Sequence, residues 1–505
     1  MRRNSFATVI VCLSPLATPA QEVGEPLSAI EWLSRSVEVP PAFEPPTAAD
    51  AATPDVTTTP LDRPSKDPVG LLPSSVTGLP ASLWSASSEA VLTDLIAAER
   101  VDTLPALQDL LRILMLAEAD APADGSADSG LFLARIDKLL DMGALDQAQS
   151  LIELADPDTA QLFRRWFDVA LLTGTEDTVC SSMGQTPVIA PTVSARIFCL
   201  ARNGDWRTAV LSLNTHRVLG DLSAQEEALL SRFLDPELFE GEPPLTPPDR
   251  ITPLTFRMHE AIGEPLITAT LPLAFAHADL RSTAAWKSQL EAAERLARYG
   301  AVSENVLLQL YTARRPAASG GIWDRAAAMQ AFDAAITQAD ASAVTETLPA
   351  AWAAIEQVRA ETLFAKLYAA NLQDVPLTGD AAALAFRIGL LSPNYEAVGL
   401  NAPEGSDSFL IAIARGQPQN LPADNLRTQA IQAAFDSTPP PDEFQVLLNE
   451  GKLGEALLRA ITLFDSGSEG DPRSVTAAIR VLRAVGLEDT ARRAALQYIL
   501  LDRNR

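Results

Sequence analysis

Apolar residues recur at spacings of three and four along most of the chain from Leu83 onward. The clearest early runs are Leu92, Leu95 and Ile96, followed by Leu107, Leu110, Leu111 and Leu114. This spacing matches the 3.6-residue period of an amphipathic helix. Alternating runs of β-branched residues, which are typical of half-buried strands, are nearly absent. The pattern predicts an all-α fold.

One short motif recurs where a predicted helix ends and the next one begins. It consists of a glycine, four further residues and an alanine, and its copies are Gly143–Ala148, Gly204–Ala209, Gly451–Ala456 and Gly486–Ala491. Glycine readily takes the positive φ with which many helices end, and alanine lets the second helix approach the first closely. We therefore expect a tight turn between antiparallel helices at each copy.

These four segments resemble the middle of tetratricopeptide-like helical-hairpin repeats, which carry the same motif at their turn. The last two glycines are 35 residues apart, close to the 34-residue period of that family, whereas the first two are 61 apart. Residues 254–440 contain no clean copy. The resemblance implies irregular, solenoid-like α-α hairpin repeats that hold other proteins or peptides. A non-repeating helical bundle is the alternative.

Proline-rich stretches divide the chain into predicted units. Eleven prolines fall within residues 21–80, which we interpret as a disordered tether because proline blocks helix formation. A second cluster at residues 243–253 predicts a domain boundary, and a third lies at 439–441. The expected units are a helical repeat domain at 81–240, a central helical domain at 254–438 and C-terminal hairpins at 442–505.

The first twenty residues have the order of a secretory signal peptide. Two arginines precede a short apolar run, and the small residues before Gln21 predict cleavage after Ala20. We therefore expect a periplasmic protein, although an amphipathic first helix is an alternative interpretation. Cleavage would remove Cys12 and leave Cys180 and Cys199. In an oxidising compartment these two are expected to form a disulfide, with two buried free thiols as the alternative.

The charge of the chain limits its partners. The formal net charge is −26, so the surface repels the phosphates of nucleic acids and the headgroups of anionic lipids. No stretch after residue 20 approaches the length of a membrane span. We expect no nucleic acid partner and no membrane span.

Residues that could carry catalysis are scarce. The chain has three histidines, His216, His259 and His277, and the start of a zinc-binding H-E-x-x-H motif at His259 is broken by Gly263. The neighbouring carboxylates Glu226–Glu227 and Glu291/Glu294 are typical of an acidic helix surface. We therefore expect no catalytic residue, no metal site and no cofactor.

One loop has an unusual composition. It carries Arg314, Arg315, a Ser319-Gly320-Gly321 turn and Arg325, and it precedes a helix predicted to begin near Trp323. Free amides before a helix and arginine side chains can bind an anion, so the loop is a candidate site for a carboxyl group of a partner or ligand. The alternative is that its arginines bind the acidic helices of the chain itself.

The sequence favours an exported, non-catalytic scaffold or adaptor that binds another cell-envelope protein, in a wall-synthesis, secretion or motility assembly. Two alternatives stay open. One is a protein that binds a ligand between helical lobes around residue 254. The other is a glycan hydrolase that uses only carboxylates.

The signal peptide generates a prediction about the mature protein. When the chain is exported, its N-terminus should be Gln21, because the small residues at 18–20 fit the cleavage site. N-terminal sequencing of the exported protein measures this. Retention of Met1 would support the amphipathic-helix alternative.

Overall fold

The computed structural model describes residues 65–501, and within that range the fold is all-α, as predicted. It contains twenty-five α-helices and five 3₁₀ helices, and its β structure is limited to one isolated bridge between Leu72 and Ala117. The predicted signal peptide and residues 21–64 of the predicted tether lie outside the described residues. The first five helices are α1 (Ser74–Thr77), α2 (Glu89–Ala98), α3 (Pro105–Leu116), α4 (Gly130–Asp141) and α5 (Leu145–Leu154).

The middle of the chain forms seven further α-helices and four of the 3₁₀ helices. The α-helices are α6 (Ala160–Thr173), α7 (Glu176–Gln185), α8 (Val193–Arg202), α9 (Trp206–Leu219), α10 (Ala224–Leu234), α11 (Pro253–Ala261) and α12 (Ala276–Asp279). The 3₁₀ helices are Ala81–Leu83, Pro187–Ile189, Pro236–Phe239, Thr268–Thr270 and Leu273–Phe275.

The last part of the chain continues the helical pattern to residue 500. Its first helices are α13 (Trp286–Ala297), α14 (Glu304–Thr312), α15 (Ile322–Thr337), α16 (Ala341–Val358), α17 (Glu361–Asp374), α18 (Gly379–Leu390) and α19 (Tyr395–Leu400). The remainder are α20 (Ser408–Ala414), α21 (Leu426–Ala434), α22 (Asp442–Asn449), α23 (Leu453–Glu469), α24 (Pro472–Ala484) and α25 (Glu488–Leu500).

The four G-x-x-x-x-A motifs all lie at helix–helix turns with the same backbone geometry. Their glycines have φ between +68° and +84°. In each turn, the N–H of the glycine and the N–H of the following residue donate hydrogen bonds to carbonyls of the preceding helix. At the first turn, Gly143 donates to Leu140 and Ala144 donates to Leu139. The four motif alanines, Ala148, Ala209, Ala456 and Ala491, are fully buried. The second helix of each turn is therefore in close contact with its neighbours.

The same turn also occurs in the region where the sequence shows no clean copy of the motif. Ala339 and Arg359 take positive φ values of 52° and 58° between successive helices of the α15–α17 segment. The N–H groups of Asp340 and Ala360 donate to carbonyls five residues earlier, as in the glycine turns. Hairpin turns therefore also occur within residues 254–440, and those at Ala339 and Arg359 are not marked by a glycine. The tetratricopeptide-like identity of the hairpins stays a prediction.

The helices enclose two main hydrophobic cores. The larger core is built from residues 79–162 and 286–501, and the second from residues 163–258. A smaller cluster that includes Leu145, Val169 and Phe256 draws on both of these parts of the chain. The middle of the chain therefore has a core of its own, and the two flanking parts share one.

The two ends of the described chain are in contact. Helix α2 packs against α23, and α3 packs against α25. The Ala106 N–H donates to Gln497 Oε1 at 2.8 Å, and Arg493 pairs with Asp109 at 2.8 Å. In an open stack each hairpin contacts only its neighbours. These contacts between distant helices are a feature that the hydrophobic pattern did not predict.

Residues 65–80, at the end of the predicted tether, belong to the packed body. The fully buried guanidinium of Arg135 holds this segment by donating to the carbonyls of Asp67, Val69, Met115 and Ala117 at 2.8–3.0 Å. Burial lowers the pKa of Arg135 to about 10, so it stays charged at neutral pH. Because no helix supplies partners for these carbonyls, the buried arginine satisfies them.

Two buried carboxyls lie where α2 ends against α23. Glu99 Oε1 accepts a hydrogen bond from Thr462 at 3.0 Å, and Asp465 Oδ1 accepts one from Thr103 at 2.5 Å. The second oxygen of each carboxyl is buried without a hydrogen-bond partner. Burial, opposed in part by Thr462, raises the pKa of Glu99 to about 8; the nearby Asp465 adds to the rise and Lys138 reduces it. Burial raises the pKa of Asp465 to about 6.

Replacement of Glu99 by glutamine should change how stability depends on pH. A carboxyl whose pKa is higher in the folded than in the unfolded state binds protons more tightly when folded. The contribution of Glu99 to the stability of the wild type therefore falls as pH rises from about 4.5 to about 8. Glu99→Gln keeps the acceptor for Thr462 without the charge and should be more stable at pH 8, by on the order of 2 kcal/mol.

Urea denaturation at several pH values from 5 to 9 measures this difference. The difference in free energy of unfolding between Glu99→Gln and wild type should become smaller towards pH 5. The exposed Glu291, which pairs with Lys287 at the surface, supplies the control variant Glu291→Gln, whose difference from wild type should stay small throughout. A Glu99→Gln difference that does not vary with pH would contradict the raised pKa.

Candidate functional site

Helix α9 presents an apolar surface that no other described part of the chain covers. Its inward side carries Ala209 and Leu213, which are buried in the second core. On the opposite side Leu211, Val218 and Leu219 are 66%, 85% and 64% exposed. We call this side, consisting of Arg207, Leu211, Thr215, Val218 and Leu219, the α9 face. Apolar side chains gathered on one exposed helix side are characteristic of interaction surfaces.

Local sequence fixes where α9 begins and how it is held. The Gly204 turn brings it back along α8, and the Asp205 side chain caps its first turn by accepting the Thr208 N–H at 3.2 Å. Helices α8 and α10 both pack against it. Trp206 contacts Phe233 of α10, with ring centroids 6.3 Å apart. The helix is therefore supported from its inward side, and the α9 face points to solvent.

The charges around α9 differ from those of the rest of this acidic chain. No carboxylate occurs between residues 206 and 219. Arg217 pairs with Glu227 of α10 at 2.6 Å, whereas the exposed Arg207 has no ion pair or side-chain hydrogen bond within residues 65–501. At the other end of α9, a carboxylate oxygen of the exposed Asp221 lies 2.7 Å from Nδ1 of His216. The α9 face thus has a free positive charge at its start, whereas the carboxylate beyond its end is held at His216.

Cys180 and Cys199 lie in the helices that support α9. Cys180 of α7 and Cys199 of α8 are at disulfide-bonding distance, with their Cα atoms 4.8 Å apart. Both are buried in the second core, and Asn203 donates to the Cys180 carbonyl at 3.0 Å. This arrangement joins α7 to the helix that precedes the Gly204 turn.

A cleft of about 810 Å³ lies on the same part of the chain, beside Leu254. Its walls include Phe167 and Asp168 of α6, the first turns of α8 and α10, and His259 of α11. Burial raises the pKa of the Asp168 carboxyl to about 6, although Arg164 and Arg165 oppose the shift. The cleft is close to the position at which the sequence analysis placed an alternative ligand site.

Glu226 is the other carboxyl in the wall of this cleft, and its oxygens are occupied. They accept bonds from the N–H and hydroxyl of Ser223 and from the hydroxyl of Ser194. Burial alone would raise the pKa of Glu226, but these bonds outweigh it and leave the pKa below its usual value. Glu226 closes a capping box at the start of α10. Its contacts account for it as a structural residue.

The structure separates the arginines of the unusual loop. Arg325 lies on α15 and forms two bonds to Glu294 of α13, at 2.8 and 2.5 Å, and Tyr311 donates to the same carboxylate at 2.8 Å. Arg314 and Arg315 are exposed, as are Ser319, Gly320 and Gly321. The Gly320 N–H donates to Asp324 at 2.9 Å. One of the three arginines thus binds an acidic helix of the chain itself, and the other two stay at the surface.

His277 and His259 lie apart from each other, and each has its own neighbours. His277 lies within 2.7 Å of the Gly143 carbonyl, and burial lowers its pKa. His259 is buried in the cleft wall 3.8 Å from Glu264, and burial lowers its pKa as well. Among residues 65–501 no three His, Cys, Asp or Glu side chains are grouped so as to hold a metal ion. Within the same range no helix has the length and apolarity to cross a bilayer.

The α9 face is not evident from the sequence alone. The pattern 206–219 contains apolar residues on both sides of the helix, and periodicity alone does not tell which side is buried. The sequence does indicate it indirectly, because α9 has more apolar residues than one buried side of a helix requires. The additional ones are Leu211, Val218 and Leu219. Comparison with known proteins adds nothing to this, because no family model, curated protein or solved structure matches the chain.

The cysteine pair generates a prediction for the part of the chain that carries α9. Replacing both residues, Cys180→Ala with Cys199→Ala, removes a cross-link over 19 residues. The free energy of unfolding should fall by about 3 kcal/mol, because the unfolded chain regains the entropy of the closed loop. Urea denaturation measures the change. Wild-type protein in reductant should match the variant, and equal stability of variant and oxidised wild type would contradict the cross-link.

Proposed function

We propose that this protein is an exported, non-catalytic helical adaptor of the periplasm, and that it binds another cell-envelope protein through the α9 face. The observation that carries the proposal is the outward side of α9, where three large apolar side chains are more than half exposed. The signal-peptide-like start and the paired cysteines support an oxidising location outside the cytoplasm.

The chemistry of the α9 face favours one kind of occupant. Leu211 and Val218 are two helical turns apart and can receive apolar side chains at matching positions of a second helix. Arg207 has no partner among the described residues, so an acidic residue of the occupant would pair with it. The expected partner is an envelope protein that offers an amphipathic helix with an acidic residue opposite Arg207.

The helical-hairpin character of the chain agrees with this role. The tight turns at Gly143, Gly204, Gly451 and Gly486 resemble those of tetratricopeptide-like repeats, and such repeats commonly hold proteins or peptides. We propose that the hairpins form a rigid support. The support keeps α9 at the edge of the second core with its apolar side turned outward.

The cleft beside Leu254 supports a second candidate function, the binding of a small ligand. Its volume of about 810 Å³ is in the range of small-molecule sites. A glycan hydrolase would need two available carboxyls facing one cleft about 5–10 Å apart. Asp168 and Glu226 both border the cleft, but the capping bonds of Glu226 make it a poor nucleophile or base. These contacts favour the non-catalytic interpretation.

Site-specific photo-crosslinking in cells tests the adaptor function. A photoreactive amino acid at Leu211 or Val218 should give a discrete product that contains a second protein, because these side chains lie in the proposed contact. The same group at Leu426, which is 70% exposed on α21, is the matched control and should not give that product. Mass spectrometry of the products identifies the protein.

Binding of the purified partner completes the test. The double variant Leu211→Ser with Val218→Ser should weaken the affinity at least about tenfold, which corresponds to about 1.4 kcal/mol. Leu426→Ser should leave it unchanged. Identical crosslinks from all three positions, or an affinity that the double variant does not alter, would overturn the proposal.

A further inference from the structure

We propose that the cleft beside Leu254 binds a small organic anion, whose carboxylate lies at the start of α11 and whose apolar body lies against the second core. The inference rests on the second candidate function, ligand binding in this cleft, and goes further by naming the chemical class of the ligand. Three observations carry it: helix starts that meet at the cleft, a buried imidazole with a free nitrogen, and an arginine without an acidic partner.

The starts of three helices border the cleft. Its wall includes the N-cap residues Thr192, Ser223 and Thr252, which precede α8, α10 and α11. The first N–H groups of a helix have no acceptor within the helix, and the positive end of its dipole lies there. Each N-cap side chain accepts the N–H three residues later, but the Leu254 N–H has no acceptor among residues 65–501. A negative group in the cleft would therefore meet several partial positive charges.

Glu226 shows that these helix starts favour a negative charge. Ser223 at the start of α10 and Ser194 at the start of α8 donate to its carboxylate. These bonds keep the pKa of Glu226 below its usual value in spite of burial. The first turn of α11 contains no acidic residue, and the hydroxyl of Thr252 caps it. The start of α11 is therefore the position left for the carboxylate of a ligand.

The imidazole of His259 also indicates a ligand. It lies on the side of α11 that faces the cleft, since Leu254, Thr255 and Met258 line the cleft as well. The side chain is 3% exposed, and its Nδ1 is 3.8 Å from Glu264, which is beyond hydrogen-bond distance. Its Nε2 has no hydrogen-bond partner within residues 65–501. A polar atom in so buried a side chain needs a partner, and a ligand in the cleft can supply one.

Arg250 adds a positive side chain beside the start of α11. It lines the cleft two residues before Thr252 and is exposed. It has no ion pair or side-chain hydrogen bond in the part of the chain that the structure describes. A guanidinium group can hold a carboxylate through two parallel hydrogen bonds. Arg250 can therefore bind the same carboxylate that the start of α11 attracts.

The rest of the wall determines the other part of the ligand. Phe167, Leu229 and Met258 line the cleft and belong to the second core, so they favour an apolar body. Asp168 favours a cation instead, because its carboxyl has no hydrogen bond among residues 65–501 and lies 3.9 Å from Arg164. Burial raises the pKa of Asp168 to about 6, so the group is charged at neutral pH and repels a bound anion. Removal of this charge therefore distinguishes an anion from a cation.

Three probes with the same naphthalene ring test the class of ligand. They are 1-naphthoate, the neutral 1-naphthamide and the cation 1-naphthylmethylammonium. Isothermal titration calorimetry of the full chain at about pH 7.5, where Asp168 is charged, measures the three affinities. 1-Naphthoate should bind with a Kd on the order of 1 mM, as expected for so small a ligand. It should bind at least about tenfold more tightly than the other two probes.

Four variants test the position of the bound anion. Arg250→Gln should weaken 1-naphthoate binding at least about fivefold and leave 1-naphthamide unchanged, whereas Arg473→Gln, at an exposed arginine of α24, should alter neither. Asp168→Asn should strengthen 1-naphthoate binding at least about threefold, because it removes a like charge. Ala224→Trp, at an exposed position of the cleft wall, should abolish binding by filling the cleft. Circular dichroism checks that each variant is folded.

Each of four results would overturn the inference. If 1-naphthamide binds as tightly as 1-naphthoate and Ala224→Trp removes both, the cleft is a ligand site without preference for an anion. If the cation binds most tightly and Asp168→Asn removes it, the cleft is a cation site. If neither Arg250→Gln nor Ala224→Trp alters 1-naphthoate binding, the anion binds elsewhere. If no probe binds up to about 10 mM, the second candidate function fails as well, whereas the adaptor proposal is decided by the crosslinks from Leu211.

Discussion

The structure depends on a backbone constraint, namely that a chain of many short helices must reverse direction within a few residues after each helix. At the recurrent tight turns described above, one residue takes positive φ and two N–H groups return to the carbonyls of the helix just ended. The turn occupies the hydrogen-bond acceptors at the helix end and starts the next helix in close contact. Where glycine holds the position, as at Gly204, the conformation carries little strain. At Ala339 and Arg359 the surrounding packing imposes it.

Packing between distant parts of the chain then determines how the hairpins are arranged. Helices α2 and α3 share the larger core with α23 and α25, and buried polar groups join them. These polar contacts do not all contribute equally to stability. The Gln497 bond to the Ala106 N–H satisfies a helix N-terminus, whereas Glu99 and Asp465 each keep a buried oxygen without a partner. The contact of α2 and α3 with α23 and α25 is therefore stabilised by apolar packing. The two buried carboxyls make the stability of this contact depend on pH.

The position of α9 follows from the same division of the core. Residues 163–258 have their own core, and α9 lies at its edge with Ala209 and Leu213 turned inward. The cysteine pair and the Gly204 turn hold the helix that precedes it. Contacts with α8 and α10 thus fix the direction in which the outward apolar side of α9 points, as an interaction surface requires. Arg325 illustrates the opposite outcome, because the core uses its charge to neutralise Glu294 and it cannot serve a partner.

The sequence by itself determined the helical class, the four glycine turns and the cysteine pair, because helix period, glycine conformation and cysteine chemistry are local properties. It did not determine that residues 65–80 are packed, since the guanidinium that holds them comes from Arg135, far along the chain. It did not reveal the turns at Ala339 and Arg359, whose conformation is imposed by tertiary packing. Nor could it distinguish the two apolar sides of α9. Only the tertiary structure decided which one is buried, because burial depends on the neighbouring helices that α8 and α10 supply.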